Sequence, residues 1–312
     1  MIELHGIFAP ITTPFTADGE SLALDRLNQN LSLYDKTRLA GYAVCGSTGE
    51  AILLTLDETE RLFAAVAEYN SARKLLIAGT GVESTSETIV RTKRAAALGF
   101  NVALVRTPHY YKPAMTHAAL LDYYRRVADA SPIPILVYSI PQFTGIEVPG
   151  ELVARLTEHP NICGIKESWG KLKVVEEIIA EAPKRFQTLV GAAYILEPSL
   201  KLGAVGAILG VACIAPDLCA ALYDAARAGD SAKAEETQRT LTPVAQKSVG
   251  EFGIAGVKFA LDTLGHAARH AEGFYGGPTR SPLLPLTAAQ QAEVKSALTA
   301  SGLLHSAHAS TH

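Results

Sequence analysis

Short apolar runs rich in β-branched residues recur along the chain at residues 7–11, 41–44, 75–78, 102–105, 135–138, 162–166, 188–190 and 207–209. Most are continuous rather than alternating, as the strands of a parallel sheet are when both faces are covered. Between them the apolar positions fall at helical spacing. Residues 57–70 follow Thr55, a capping residue, and carry Leu62, Ala65 and Val66; residues 84–98 stop before Gly99. After Asp230 the strand pattern ceases, and residues 232–248, 257–264 and 288–298 read as helices.

This alternation predicts an α/β fold: a (β/α)8 TIM barrel over residues 1–230, with a C-terminal helical appendage over 231–300 that packs on the barrel or builds an oligomer contact. Residues 301–312 are expected to form a flexible tail. A doubly wound sheet is disfavoured, because it has fewer strands and a Gly-rich turn after the first. Gly79-Thr80-Gly81 does follow a strand, but no third glycine completes a dinucleotide fingerprint.

Composition narrows the partners. The 312 residues are 48% hydrophobic and 19% charged with a net charge of −3, which suits a globular protein and gives no reason to expect nucleic acid. A small molecule is the expected ligand. The N-terminus carries Glu3 and lacks a basic start followed by an apolar stretch, so a cytoplasmic protein is expected. The longest uncharged run lies between Lys201 and Asp217, contains Pro216, and is shorter than the roughly 18 apolar residues of a membrane span. Cys45, Cys163, Cys213 and Cys219 form no CxxC pair and read as small hydrophobes. Neither a metal nor a cofactor is expected.

In such a barrel the reacting groups lie at the C-terminal ends of the strands, so polar residues ending apolar strands are the informative ones. Lys166 ends one, and a lysine is rarely buried unless it is paired or functional; its structural alternative is to snorkel to solvent. In a desolvated pocket burial disfavours an ammonium, and a neutral amine can attack a ketone to give an imine that serves as an electron sink. Tyr138 ends the preceding strand in the matching place. Neighbouring strands lie about 4.8 Å apart, so both side chains can meet over one substrate, the phenol moving protons or merely capping the core. Gly46-Ser47-Thr48-Gly49-Glu50 follows the second strand. It offers backbone N–H groups and two hydroxyls to a carboxylate, or else is an ordinary turn before a helix.

These segments, together with Tyr138-Ser139-Ile140-Pro141, Thr144-Gly145 and Gly164-Ile165-Lys166-Glu167-Ser168, resemble the signatures of the dihydrodipicolinate synthase / N-acetylneuraminate lyase superfamily of class I aldolases. The resemblance runs from Gly6-Ile7-Phe8 to Gly276-Gly277-Pro278-Thr279-Arg280-Ser281-Pro282-Leu283. It implies that Lys166 forms a Schiff base with pyruvate or a similar 2-oxo acid and that Tyr138 is the general acid/base. It also implies that Thr48 joins a proton relay with Tyr110 or Tyr111, and that Ser47 and Thr48 hold the pyruvate carboxylate. By the same resemblance the carbonyl end of strand eight near Ile208 shapes the site, and Gly191 leaves room for substrate. His109 adds a residue before the tyrosine pair, leaving either tyrosine as the relay member. In synthases one such tyrosine crosses a subunit interface, which implies a homotetramer built from two tight dimers.

Synthases of this family usually carry an arginine before the Thr-Gly step, binding the carboxylate of aspartate semialdehyde; here Phe143 stands there, without the paired donors. Gly191 is followed by Ala192-Ala193 rather than acidic residues. Ser139 and Ser168, with Thr107-Pro108-His109-Tyr110-Tyr111 and Phe252-Gly253-Ile254-Ala255-Gly256-Val257-Lys258, look closer to 4-hydroxy-2-oxoglutarate aldolases. That similarity implies cleavage of 4-hydroxy-2-oxoglutarate to pyruvate and glyoxylate, with Phe143 and Ser168 at the substrate pocket. The alternative is 4-hydroxy-tetrahydrodipicolinate synthase, with Arg106 as a candidate replacement cation. A second is a 2-oxo acid binding protein without turnover.

Overall fold

In the computed structural model, which describes residues 2–267 and 273–304, each of the apolar runs becomes a strand. They are β1 (Gly6–Pro10), β2 (Gly41–Val44), β3 (Leu75–Gly79), β4 (Val102–Arg106), β5 (Ile135–Ser139), β6 (Ile162–Glu167), β7 (Gln187–Val190) and β8 (Gly206–Ile208). All pair in parallel in chain order, and β8 returns to β1, closing the TIM barrel. Closure is tight. A Cβ on Gly206 would lie 2.4 Å from the carbonyl oxygen of Gly6, so the seam tolerates only a glycine there.

Helices alternate with the strands: α1 (Leu24–Tyr34), α2 (Leu56–Tyr69), α3 (Thr85–Ala97), α4 (His117–Ala130), the single turn α5 (Pro141–Thr144), α6 (Gly150–Leu156), α7 (Leu172–Glu181), α8 (Leu196–Leu202) and α9 (Pro216–Arg227). Thr55 and Glu58 form the reciprocal capping box at the start of α2. Ser84 stands outside α3 as its cap, its hydroxyl accepting the Glu87 N–H, so that helix begins one residue later than expected. The C-terminal region adds α10 (Ser231–Val244), α11 (Gly253–Ala267) and α12 (Ala288–Ala300). Pro243 lies in the last turn of α10, and the chain there widens into a π-helical stretch over Ala245–Glu251. Residues 301–304 fold back on α12, with the Leu303 N–H 2.9 Å from the Leu298 carbonyl; residues 305–312 of the expected tail lie outside the described residues. No described helix is long and apolar enough to cross a membrane.

One irregularity decides which way Lys166 faces. Ile135 of β5 faces Ile162 of β6, but Leu136 faces Gly164, so β6 carries one extra residue in a β-bulge. Ile162 and Ile165 both pack outward with Val137 in the layer between strands and helices. Cys163 packs inward with Leu136 and Tyr138. Strict alternation from Ile162 would turn Lys166 outward as well, because side chains four residues apart share a face. The bulge reverses that phase and turns Lys166 into the barrel. Gly164 permits it: a Cβ there would lie 2.1 Å from the Gln187 carbonyl oxygen. Gly164→Ala should therefore destabilise the barrel by about 1–3 kcal/mol, the range for overpacking against fixed atoms. A thermal melt measures this, and an unchanged melting temperature would show that the backbone yields.

Candidate active site

Tyr138 and Lys166 are register partners at the C-terminal mouth of the barrel. They are 4% and 5% exposed. The Lys166 Nζ stands 4.1 Å from the centroid of the Tyr138 ring and, among the described residues, has no carboxylate and no hydrogen-bond acceptor. A lysine buried without a partner is rare in a core that serves stability alone. Beneath it the barrel is filled by Phe8, Ala43, Ile77, Leu104, Leu136 and Leu189, so the amine stands on an apolar floor. Ile208, 1% exposed, joins the same layer from β8.

The turn after β2 supplies the next groups. Ser47 Oγ lies 3.2 Å from the Tyr138 hydroxyl. Thr48 Oγ1 instead faces the end of β8, 3.6 Å from where a Cβ on Gly210 would stand. The hydroxyl that meets Tyr138 is thus that of Ser47. The turn closes through the Gly49 N–H to the Gly46 carbonyl (3.1 Å) and the Glu50 N–H to the Ser47 carbonyl (3.0 Å). Among the described residues no acceptor takes the N–H groups of Ser47 and Thr48. Two neighbouring free donors at a barrel mouth form an anion cradle.

Gly191 has a different use from the one expected. Its N–H donates to the Glu167 carbonyl at 2.7 Å, and a Cβ on it would lie 1.8 Å from Ser168 Oγ. The space it leaves is filled by the Ser168 hydroxyl, which is buried without a hydrogen-bond partner. Glu167 escaped the sequence reading, although a charged residue directly after Lys166 in an apolar strand was the available signal. It is 1% exposed, burial pushes its carboxyl pKa up, and its Oε1 accepts the Trp169 N–H at 2.6 Å.

Other candidates lie farther out. Tyr110 and Tyr111 are 76% and 70% exposed, edge to face with centroids 5.1 Å apart, and neither hydroxyl is hydrogen-bonded among the described residues. Within one chain they do not reach Thr48. Their loop is held by Glu83, whose carboxylate accepts the His109 and Tyr110 N–H groups at 2.8 and 3.0 Å. Arg106 pairs with the same carboxylate at 3.1 Å and lies 2.7 Å from His109 Nδ1, so it is engaged rather than free for a substrate. Phe143 on α5 is 64% exposed at the rim. Two residues on, the Lys112 ammonium lies 2.9 Å from where a Cβ on Gly145 would be, with no ion pair among the described residues. The four cysteines are buried, and burial pushes the thiols of Cys45, Cys163 and Cys213 up to about 12.

Comparison with known proteins agrees with this geometry. Residues 3–301 match the model of the dihydrodipicolinate synthetase family. A 4-hydroxy-tetrahydrodipicolinate synthase from Methanothrix thermoacetophila is 37% identical over 95% of this chain and 96% of its own length. One from an Exiguobacterium species is 35% identical over 94% and 96%. Among solved structures, the dihydrodipicolinate synthase of Acinetobacter baumannii complexed with pyruvate superposes with a TM-score of 0.90 at 28% identity, over 96% of this chain and all of that one. These relatives are synthases by name, so the expected closeness to 4-hydroxy-2-oxoglutarate aldolases finds no support among them.

The collision at Gly191 is testable. Gly191→Ala should lower the melting temperature, and Gly191→Ala/Ser168→Gly, which removes the atoms struck, should recover part of the loss. No recovery in the pair would show that Ser168 is not what the glycine accommodates.

Proposed function

Since the chain belongs to the dihydrodipicolinate synthetase family, and is thereby an enzyme of the class I aldolase type, we propose that Lys166 forms a Schiff base with pyruvate and that Tyr138 moves the protons. The observation that carries this is the buried Lys166 amine, without a partner among the described residues, 4.1 Å from the Tyr138 ring. Nζ attacks the keto carbon and water leaves as the imine forms. Loss of a methyl proton then gives an enamine whose carbon bonds to the aldehyde carbon, and the aldehyde oxygen takes a proton. Tyr138, bonded to Ser47 at 3.2 Å, is the acid/base in reach of both steps. The free N–H groups of Ser47 and Thr48 hold the pyruvate carboxylate. The reading without turnover is set aside with the family assignment.

For the aldehyde, the names of the relatives favour aspartate semialdehyde, and so 4-hydroxy-tetrahydrodipicolinate synthase rather than the cleavage expected from the motifs. Lys112, beside Gly145, supplies a cation where the family's arginine is missing. Cleavage of 4-hydroxy-2-oxoglutarate is the second reading, favoured by Phe143 at the rim and by the engagement of Arg106 with Glu83.

Borohydride added with pyruvate should attach one reduced pyruvyl group per chain at Lys166, and none in Lys166→Ala; labelling of another lysine sinks the assignment. Tyr138→Phe should still be trapped but lose about 10² or more in kcat. Side by side, kcat/KM for the semialdehyde condensation should exceed that for cleavage of the hydroxy-oxo acid; the reverse order selects the second reading. Lys112→Ala should raise the KM for the semialdehyde roughly ten- to a hundredfold, the scale of one charge-assisted contact.

The exposed Tyr110-Tyr111 pair supports assembly, since two aromatic rings on a rim loop are well suited to burial against another copy. We place the enzyme as a homotetramer, and sedimentation should find it so. A fully active monomer at assay concentration contradicts this.

A further inference from the structure

The 46–50 turn is flanked by two residues whose conformation an L-amino acid seldom adopts: Cys45 and Glu50 both have φ of 55°. Such backbone persists only where its surroundings hold it. At the Glu50 end the holder comes from the C-terminal region. The Glu50 carboxylate is 1% exposed, its Oε1 lies 2.5 Å from Lys258 Nζ of α11, and its Oε2 accepts the Arg280 N–H at 2.8 Å. Lys258 is equally buried, donates to the Pro278 carbonyl at 2.7 Å, and stands 4.4 Å over the Phe15 ring. Arg280 covers the same ring at 4.2 Å and clamps Glu58 of α2 through two contacts of 2.7 and 2.8 Å.

A buried ion pair is a poor way to gain stability alone, because desolvation offsets most of its attraction. It does fix a geometry. Both carboxylate oxygens of Glu50 are engaged from one side, so its backbone cannot rotate to the right-handed region without breaking the pair. That rotation would re-aim the peptide groups of Ser47 and Thr48. We propose that Glu50 and Lys258 are positioning residues for the reaction, holding the 46–50 turn so that its free N–H groups point at the substrate carboxylate, and that the C-terminal region is thereby part of the active site. This rests on the reading that the turn binds pyruvate.

The test follows pyruvate concentration dependence of borohydride trapping, which needs no choice of aldehyde. Glu50→Gln and Lys258→Met should each raise the half-saturating pyruvate concentration roughly tenfold or more, the effect of misaligned donors, while trapping at saturation stays complete. Each single variant also leaves a buried group unpaired, so its melting temperature should fall. The double variant Glu50→Gln/Lys258→Met removes both charges; it should regain melting temperature yet keep the raised half-saturation. Wild-type half-saturation in the folded double variant overturns the proposal, and that variant decides the matter if either single fails to fold. Failure of the wild-type protein to trap pyruvate at all would instead remove the functional reading beneath it.

Discussion

A single extra residue in β6 determines what this barrel can do. With both faces of a parallel strand apolar, nothing about burial alone prefers Lys166 inside or outside, and the phase of alternation must be set elsewhere. The register slip beside Ile135 and Leu136 sets it. Upstream of the slip Ile162 serves the helix layer, and downstream Lys166 serves the barrel axis. Gly164 makes the slip possible because β7 passes too close for any side chain. The placement of the buried lysine nitrogen is thus a property of strand packing, settled well below the mouth at which the loops gather.

Around that nitrogen the polar groups are sparse and differently secured. Tyr138 is fixed by register, Ser47 by a turn held in unusual backbone geometry, and Ser168 by the absence of a side chain at Gly191. Ser168 Oγ is buried there without a partner among the described residues. Unsatisfied groups of this kind are costly in a finished core and are concentrated where a ligand supplies the missing bonds. The rim is the looser part: Phe143, Tyr110 and Tyr111 are exposed, and they are the positions at which substrate and partner choice have been placed.

Much of this was legible in the chain. Eight apolar runs gave the barrel, and Lys166 and Tyr138 stood out because each is a polar residue ending such a run, the place where a barrel presents chemistry. The bulge was not legible, since a strand apolar on both faces shows no alternation whose interruption could be seen. Ser47 and Thr48 could not be told apart because the backbone angles of Cys45 and Glu50, which aim the two hydroxyls, leave no mark in residue type. Glu50 and Lys258 are far apart in sequence and each looked unremarkable alone. The aldehyde was the hardest part to read: Phe143, Ala192-Ala193, Ser139 and Ser168 pointed toward the hydroxy-oxo acid aldolases, whereas the relatives are synthases by name and Lys112 reaches the turn that carries Phe143 from another loop.

The dependence of the 46–50 turn on α11 and Arg280 has a consequence in time. The last strand is complete at Ile208, but Lys258 and Arg280 follow roughly fifty and seventy residues later, several seconds of synthesis at about 5–20 residues per second. A nascent chain can therefore close its barrel around Lys166 while the Glu50 carboxylate still lacks its partner. Through that interval the growing polypeptide has, on the proposed reading, its nucleophile in place and no settled receptor for the acid it is to engage. If Glu50 and Lys258 hold the turn as proposed, competence arrives with the final helices, and a prematurely terminated product of this gene would be a barrel without a working mouth.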